Sequence, residues 1–207
     1  MPYPRRTDRA AIVSAAIEVM QEQGLDSVSL RAIAGRLGVR QPGLYHHFVS
    51  KAELLDAVAD EILDRSHTVR IPVAGDRWDE FVARNARSLR RAMLSVRDGA
   101  RLIASTGSRS PRMDNAIAQI ALLEQAGFSG TEAALALIAV SRYTIGSAIE
   151  QQTARDGGDI VITTDRTDPA AARIIDITRR VVDLGQEHEF DTGLAALLRG
   201  LDPGTTD

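Results

Sequence analysis

Cysteine is absent from the 207 residues. The chain therefore has no disulfide framework, no thiolate nucleophile and no thiolate metal site, and it suits a reducing cytoplasm. Aromatic residues are scarce, at 4%. Alanine, leucine, isoleucine and arginine are plentiful, a balance that favours helix over a β-sandwich. No apolar run approaches the roughly 20 residues that span a bilayer, so no membrane partner is expected. The opening "MPYPRRTDR" lacks the apolar centre of a signal peptide. The chain has no fixed-period repeat and no low-complexity tract. It also lacks the G-x-S-x-G elbow, the P-loop and the H-E-x-x-H pair that would argue for an enzyme.

A local absence is more informative. The chain is mildly acidic, with net charge −3, yet Ser27 to Ala52 contains no Asp or Glu. That window holds four cations (Arg31, Arg36, Arg40 and Lys51) and two histidines. Its centre, "VRQPGLYHHFVSK", crowds donors and rings into one short stretch.

Apolar spacing and capping residues predict helices throughout. Thr7 or Asp8 caps a first helix with Ile12, Ala15, Ala16, Val19 and Met20 on one face, stopped by Gly24. Ser29 caps "LRAIAGRL" and Gly38 ends it. A third short helix starts near Gln41 with Pro42 at an early position, and Ser50 with Glu53 reads as a capping box for a fourth. "RIPVAG" interrupts the pattern at residues 70–75. Beyond it, Asp76 is expected to cap a helix from Trp78 to about Val96. Segments near 100–105, 113–126, 131–153, 170–184 and 187–201 follow, with 154–169 as a surface loop and Pro203-Gly204 closing the last helix.

The second and third helices, joined at Gly38-Val39, have the spacing of a helix-turn-helix. An acid-free surface is what a phosphate backbone requires. Gln41 suits adenine and Arg31 or Arg40 suits guanine, while Tyr45, His47 and Lys51 can reach phosphate. On pattern alone the window reads equally as ordinary fold. Leu44, Tyr45 and Phe48 then serve as core, and Phe48 is expected there in either case.

"RAIAGRLGVRQPGLYHHFVSKAELLDAV" resembles the DNA-binding signature of the TetR family of repressors. "SHTVRIPVAG", "RWDEFVARNARSLRRAML", "RDGARL", "EQAGFS", "AVSRYTIGSAIEQQ" and "LAALLRGL" are similar to the ligand-binding core of its tetracycline-repressor subgroup. The resemblance covers about Asp8 to Leu201, broken mainly at 154–186. It implies an all-α fold, with a helix-turn-helix DNA-binding domain at 1–50 and a ligand-binding and dimerisation domain at 51–207. Helix 51–67 would connect them.

By the same resemblance, Arg31, Gln41, Pro42 and Tyr45 fall where the family meets bases. Ser29, His47 and Lys51 fall where it grips phosphate. Arg40, Gly43 and His46 replace other family residues and are expected to alter the operator sequence. His67, Asn85 and Gln119 match ligand-holding positions, and Leu89, Ala116 and Leu137 are assigned to the pocket wall. Ile103 stands where the family's magnesium-ligating histidine would be, and Arg142 where a second histidine would be. Thr106 and Glu150 match residues that act on the metal through water, Glu150 from the partner subunit. An aliphatic side chain cannot ligate an oxygen-seeking cation, so no metal or other cofactor is expected. Gly107 and Ser108 replace an Arg-Pro pair of the induction switch.

The helices at 131–153 and 187–201 correspond to the family's dimer interface. Small residues (Ala133, Ala134, Ala136, Ala139, Gly146, Ser147) mark the first, and Leu194, Leu197, Leu198 and Leu201 mark the second. The expected protein is a cytoplasmic homodimeric repressor on a palindromic double-stranded operator, released by a small molecule other than a magnesium–tetracycline chelate. Two alternatives stand beside it: a constitutive regulator with no effector, and an enzyme using His67 and Glu150 as an acid–base pair across the dimer.

Overall fold

The computed structural model describes residues 8–106, 112–157, 169–201 and 203. Thr7, Gly107, Ser108, Gly204 and residues 158–168 of the expected surface loop lie outside them. Nine α-helices occur among the described residues. They are α1 (Arg9–Gln23), α2 (Leu30–Leu37), α3 (Lys51–Ser66), α4 (Trp78–Leu94), α5 (Gly99–Thr106), α6 (Met113–Gln125), α7 (Gly130–Gly157), α8 (Pro169–Leu184) and α9 (Gln186–Gly200). Two 3-10 segments, Leu25–Ser27 and Gln41–His46, complete the set.

The head is built by its caps. Asp8 accepts the Ala11 N–H at 2.8 Å, Ser29 that of Ala32 at 3.2 Å and Ser50 that of Glu53 at 3.1 Å. Each fixes one helix start. Gly38 ends α2 in the left-handed region at φ 67°, where a side chain would be strained. Glu53 extends the capping box by one residue, taking the Val49 N–H rather than that of Ser50. Arg9 then ties α1 to the start of α3. It donates to His47 O and to Glu53, and its guanidinium lies 4.1 Å from the centre of the Phe48 ring. Arg36, one of the four cations of the acid-free window, is bound by Glu18 and Glu22 of α1 and acts as a brace.

Several expected boundaries move. Gln41–His46 is a 3-10 turn and not a length of α-helix, because Pro42 lacks an N–H, Gly43 is weakly helical, and six residues are few for an i→i+4 ladder. Arg77, not Asp76, occupies the N-cap of α4. The Asp76 carboxylate instead accepts the Val73 N–H and binds Arg84, closing the preceding turn. Helix α4 stops at Leu94, and Asp98 at φ 57° turns the chain into α5.

One apolar cluster runs from Ile12 and Phe48 through Leu54, Val58 and Ile62 of α3 to Leu102 and Ile103 of α5 and Ala148 of α7. A second joins Phe81, Leu123, Phe128, Phe190 and Leu194. Helix α7 is apolar and long enough to resemble a membrane span, more so than the sequence suggested. One face of it packs on α4, α5, α6 and α9. Ala133, Ala136, Leu194 and Leu198, expected at a dimer face, are buried within the subunit. Ala134, Ala139, Gly146 and Ser147 are only half-buried, and Leu135 and Ile138 are exposed. At the join of α4, α7 and α9 lies Arg90, 2% exposed, bonded to Glu187, Gln151 and the Gln186 carbonyl and lying over the Phe190 ring.

The α4–α5 turn fastens the core to the head. Leu25 N–H donates to Asp98 Oδ2 at 2.7 Å, and Arg101 reaches Asp26 at 2.6 Å. A Cβ added to Gly99 would lie 2.3 Å from the Met93 carbonyl oxygen, a backbone atom with little room to move. Gly99→Ala is expected to destabilise the protein by roughly 1–3 kcal/mol, as overpacking commonly does. Thermal unfolding of that variant beside Gly35→Ala, whose added Cβ would meet nothing within 4 Å, checks it.

Candidate functional site

The window that lacks acids brings most of its polar side chains to the surface of the head. Arg31, Arg40, Pro42, Gly43, Tyr45, His46 and Lys51 are exposed, and Ser29, Gln41 and His47 are half-buried. Leu44 and Phe48 are fully buried and hold that surface in place from beneath. Tyr45, which the sequence left open as core, is 49% exposed, and Gln41 Nε2 donates to its hydroxyl at 3.2 Å. The pair presents an amide and a phenol side by side. Ser29 spends its oxygen on capping, which leaves its hydroxyl proton to give. Lys51, the chain's one lysine, stands in the first turn of α3, where unpaired N–H groups already favour an anion.

A cavity of about 330 Å³ lies some turns further along α3, enclosed by α3 to α7. Of the ten residues expected to contact a ligand, His67, Asn85, Leu89, Ile103, Thr106, Ala116, Gln119 and Leu137 line it. Arg142 and Glu150 do not. Both are exposed on α7, so Glu150 and His67 form no acid–base pair within a subunit.

The polar wall is organised by the chain that leaves α3. His67 is the C-cap of that helix, its N–H on Leu63 O at 2.8 Å. The next residues are strapped to α4 and α6. Ser88 Oγ accepts from Thr68 and Val69 N–H, Asn85 Nδ2 donates to Val69 O at 2.6 Å, and Gln119 Nε2 donates to Arg70 O at 2.6 Å. Asn85 and Gln119 thus each spend one N–H on backbone and keep the other N–H and the carbonyl oxygen. Thr106 gives its hydroxyl to Leu102 O at 3.1 Å.

Charges that the sequence reading missed sit at the rim. Arg70 binds Asp64 at 2.6 Å, and Arg112 lies 2.8 Å from the same carboxylate and 3.8 Å from Asp60. Asp56, Asp60, Arg70 and Arg112 all border the cavity. Their sequence positions carry little signal: Asp56, Asp60 and Asp64 precede His67 on α3, Arg70 opens the break after it, and Arg112 caps α6. Burial raises the pKa of Asp64, but the bonds from Arg70 and Arg112 outweigh it and hold it below the usual value.

Two sequence-family patterns match the chain. One, described as "Bacterial regulatory proteins, tetR family", covers residues 12–58. The other, "Tetracyclin repressor-like, C-terminal domain", covers 71–203. The chain belongs to the TetR family. Within it, the chain is similar to the class C tetracycline repressor protein of Escherichia coli, 39% identical over 95% of this chain and 91% of that one. A variant of the tetracycline repressor of Acinetobacter baumannii AYE, solved with minocycline, superposes with TM-score 0.81 at 35% identity, covering 98% of this chain and all of that one. BioQ bound to its double-stranded DNA operator superposes with TM-score 0.70 at 26% identity, over 95% and 99% of the two chains. The protein is therefore a DNA-binding transcriptional repressor of TetR type, with a helix-turn-helix head and a ligand-binding core. This is a family of regulators, not of enzymes.

Burial, and to a lesser extent the charges of Arg70 and Arg91, lower the His67 pKa from 6.5 to about 4. The imidazole is neutral at pH 7. An unfolded chain takes up a proton at His67 near pH 6.5 that the folded chain refuses until about 4. Stability from this group is therefore complete above pH 6.5 and falls as the pH drops towards 4. Melting temperatures of the native protein and His67→Gln, followed from pH 7.5 to 4.5, are expected to show a shallower decline in the variant. Parallel profiles would contradict the assignment.

Proposed function

We propose that the protein is a cytoplasmic homodimer that represses transcription from a palindromic operator and is released by a small molecule held beside His67. The observation that carries this reading is the continuity of α3. The helix starts with Lys51 on the donor-rich face and ends with His67 in the cavity wall. In this reading residues 1–50 are the DNA-reading unit, 51–207 hold effector and partner, and helix 51–67 connects them. An effector that pushes on the wall formed by Ala59, Leu63 and His67 would tilt α3 and change the separation of two reading heads. Coupling of this kind is reciprocal, so operator must weaken the effector by the same factor.

A second copy has surface to cover. Ile174, Ile177, Val181 and Leu184 recur at spacings of three and four along α8, each more than 40% exposed, and α8 touches mainly α9. An apolar stripe of this length favours a partner. Leu135 and Ile138 extend the apolar surface on α7. Arg142 and Glu150 are exposed on the same helix, which fits a role towards a partner better than one within the subunit.

The effector differs from a magnesium chelate. Ile103 offers no lone pair, Thr106 offers a single hydroxyl oxygen whose proton rests on Leu102 O, and Glu150 does not line the cavity. That donor set does not fit a divalent cation, which needs about six oxygens. The polar groups that remain suit a neutral or partly polar organic molecule against the apolar Leu89, Ile103, Ala116 and Leu137.

Fluorescence anisotropy on a duplex selected by the protein from a random pool tests the reading. Binding is expected to weaken steeply with salt. Gln41→Ala should cost about 1–3 kcal/mol on the selected duplex and relax one base position. Lys51→Ala should weaken all duplexes alike. Tetracycline with Mg²⁺ is expected to leave binding unchanged, and release by the pair would overturn the reading of Ile103.

A further inference from the structure

Ser88 lies on the inner face of α4 and is wholly buried. Its Oγ is within bonding distance of three groups: the Thr68 N–H at 2.9 Å, the Val69 N–H at 3.2 Å and the His67 ring Nδ1 at 3.0 Å. A serine hydroxyl has two lone pairs and one proton. Backbone N–H groups only donate, so Thr68 and Val69 occupy both lone pairs. What remains is the proton, and a donor at Nδ1 would be a third donor aimed at a filled oxygen. Other helical hydroxyls place their proton on a carbonyl three or four residues back, as Ser95, Ser105 and Thr144 do. Among the described residues no such bond is formed by Ser88. Its proton goes to His67.

We infer that Ser88 is a positioning residue that holds His67 in one tautomer, with Nδ1 as acceptor and the proton on Nε2, so that the cavity meets a hydrogen-bond donor. Neutral imidazole can carry its proton on either nitrogen, and the choice is set by the bond the other nitrogen makes. The same three bonds also fix the chain after α3, so Ser88 sets both the ring's place and its polarity. The loss of charge at His67 agrees with this, since an imidazolium would place a proton against a filled Ser88 oxygen. If the effector reading above is right, on which this consequence rests, the effector presents an oxygen acceptor to His67, such as a carbonyl, enol or carboxylate. A cationic or donor-only group would be rejected there, because a buried donor facing a donor is left unpaired.

Long-range proton–nitrogen correlation of histidine-labelled protein reads tautomers directly, and it needs neither effector nor operator. Its failure is thus distinct from failure of the functional reading. The chain has four histidines, and the resonances lost in His67→Gln assign the one of interest. At pH 7 the native protein is expected to show a neutral His67 with a protonated Nε2 and a bare, hydrogen-bonded Nδ1. In Ser88→Ala the Nδ1 resonance should move towards that of an unbonded ring nitrogen. A protonated Nδ1 or a charged ring in the native protein would overturn the inference. So would an unmoved Nδ1 resonance in a Ser88→Ala variant with native helicity. Should that variant fail to fold, the tautomer of the native protein decides alone.

Discussion

An α-helix resists bending because every turn carries its own hydrogen bonds, and this chain places one such rod across two jobs. Helix α3 has 16 residues, about 24 Å of rigid element at 1.5 Å per residue. Its first turns are fixed in the head by Ser50, Glu53 and Arg9, and by Leu54 and Val58 in the apolar core. Its last turns supply Ala59, Leu63 and His67 to the cavity. Neither end can move without the other, since no glycine or proline interrupts the run. A second tie from Asp98 to Leu25 limits how the head can swing, so displacement of α3 must also work against the α4–α5 turn.

The cavity owes its character to the segment that α3 releases. Residues 67–70 leave the helix with backbone groups that need partners, and α4 and α6 supply them through Ser88, Asn85 and Gln119. Each of those side chains spends some of its hydrogen-bonding capacity on backbone; Asn85 and Gln119 line the cavity with the rest, and Ser88 meets the His67 ring. The wall's polarity is therefore a by-product of satisfying buried peptide groups. The ion pairs of Arg70 and Arg112 with Asp64 close the rim, where they also tie the end of α3 to the start of α6.

The local signals were readable because they are local. Asp8, Ser29 and Ser50 cap where their residue types say they should, and Gly38 turns where only glycine turns cheaply. Most charged and polar residues of the acid-free window are exposed. Failures came where a partner distant in sequence decides. Arg36 has the charge to meet DNA but is held by Glu18 and Glu22, and Asp76 looks like a cap but serves the turn before it. Ala133 and Leu194 face their own subunit because α4, α7 and α9 pack on one another. The pocket residues came from resemblance, since His67 and Asn85 follow no period that marks a cavity. Ser88 and Arg90 escaped notice altogether, because a serine and an arginine on a helix read as surface, whereas both are buried and hydrogen-bonded.

In the proposed function, α3 carries communication between a DNA-reading face and a cavity which that face does not touch. Amide hydrogen exchange of the native protein, with and without its selected duplex, tests this most directly. Operator binding is expected to change protection at Thr68 and Val69, whose N–H groups rest on Ser88, as well as in the head. Exchange altered only between residues 29 and 51, with residues 59–70 unaffected, would contradict it.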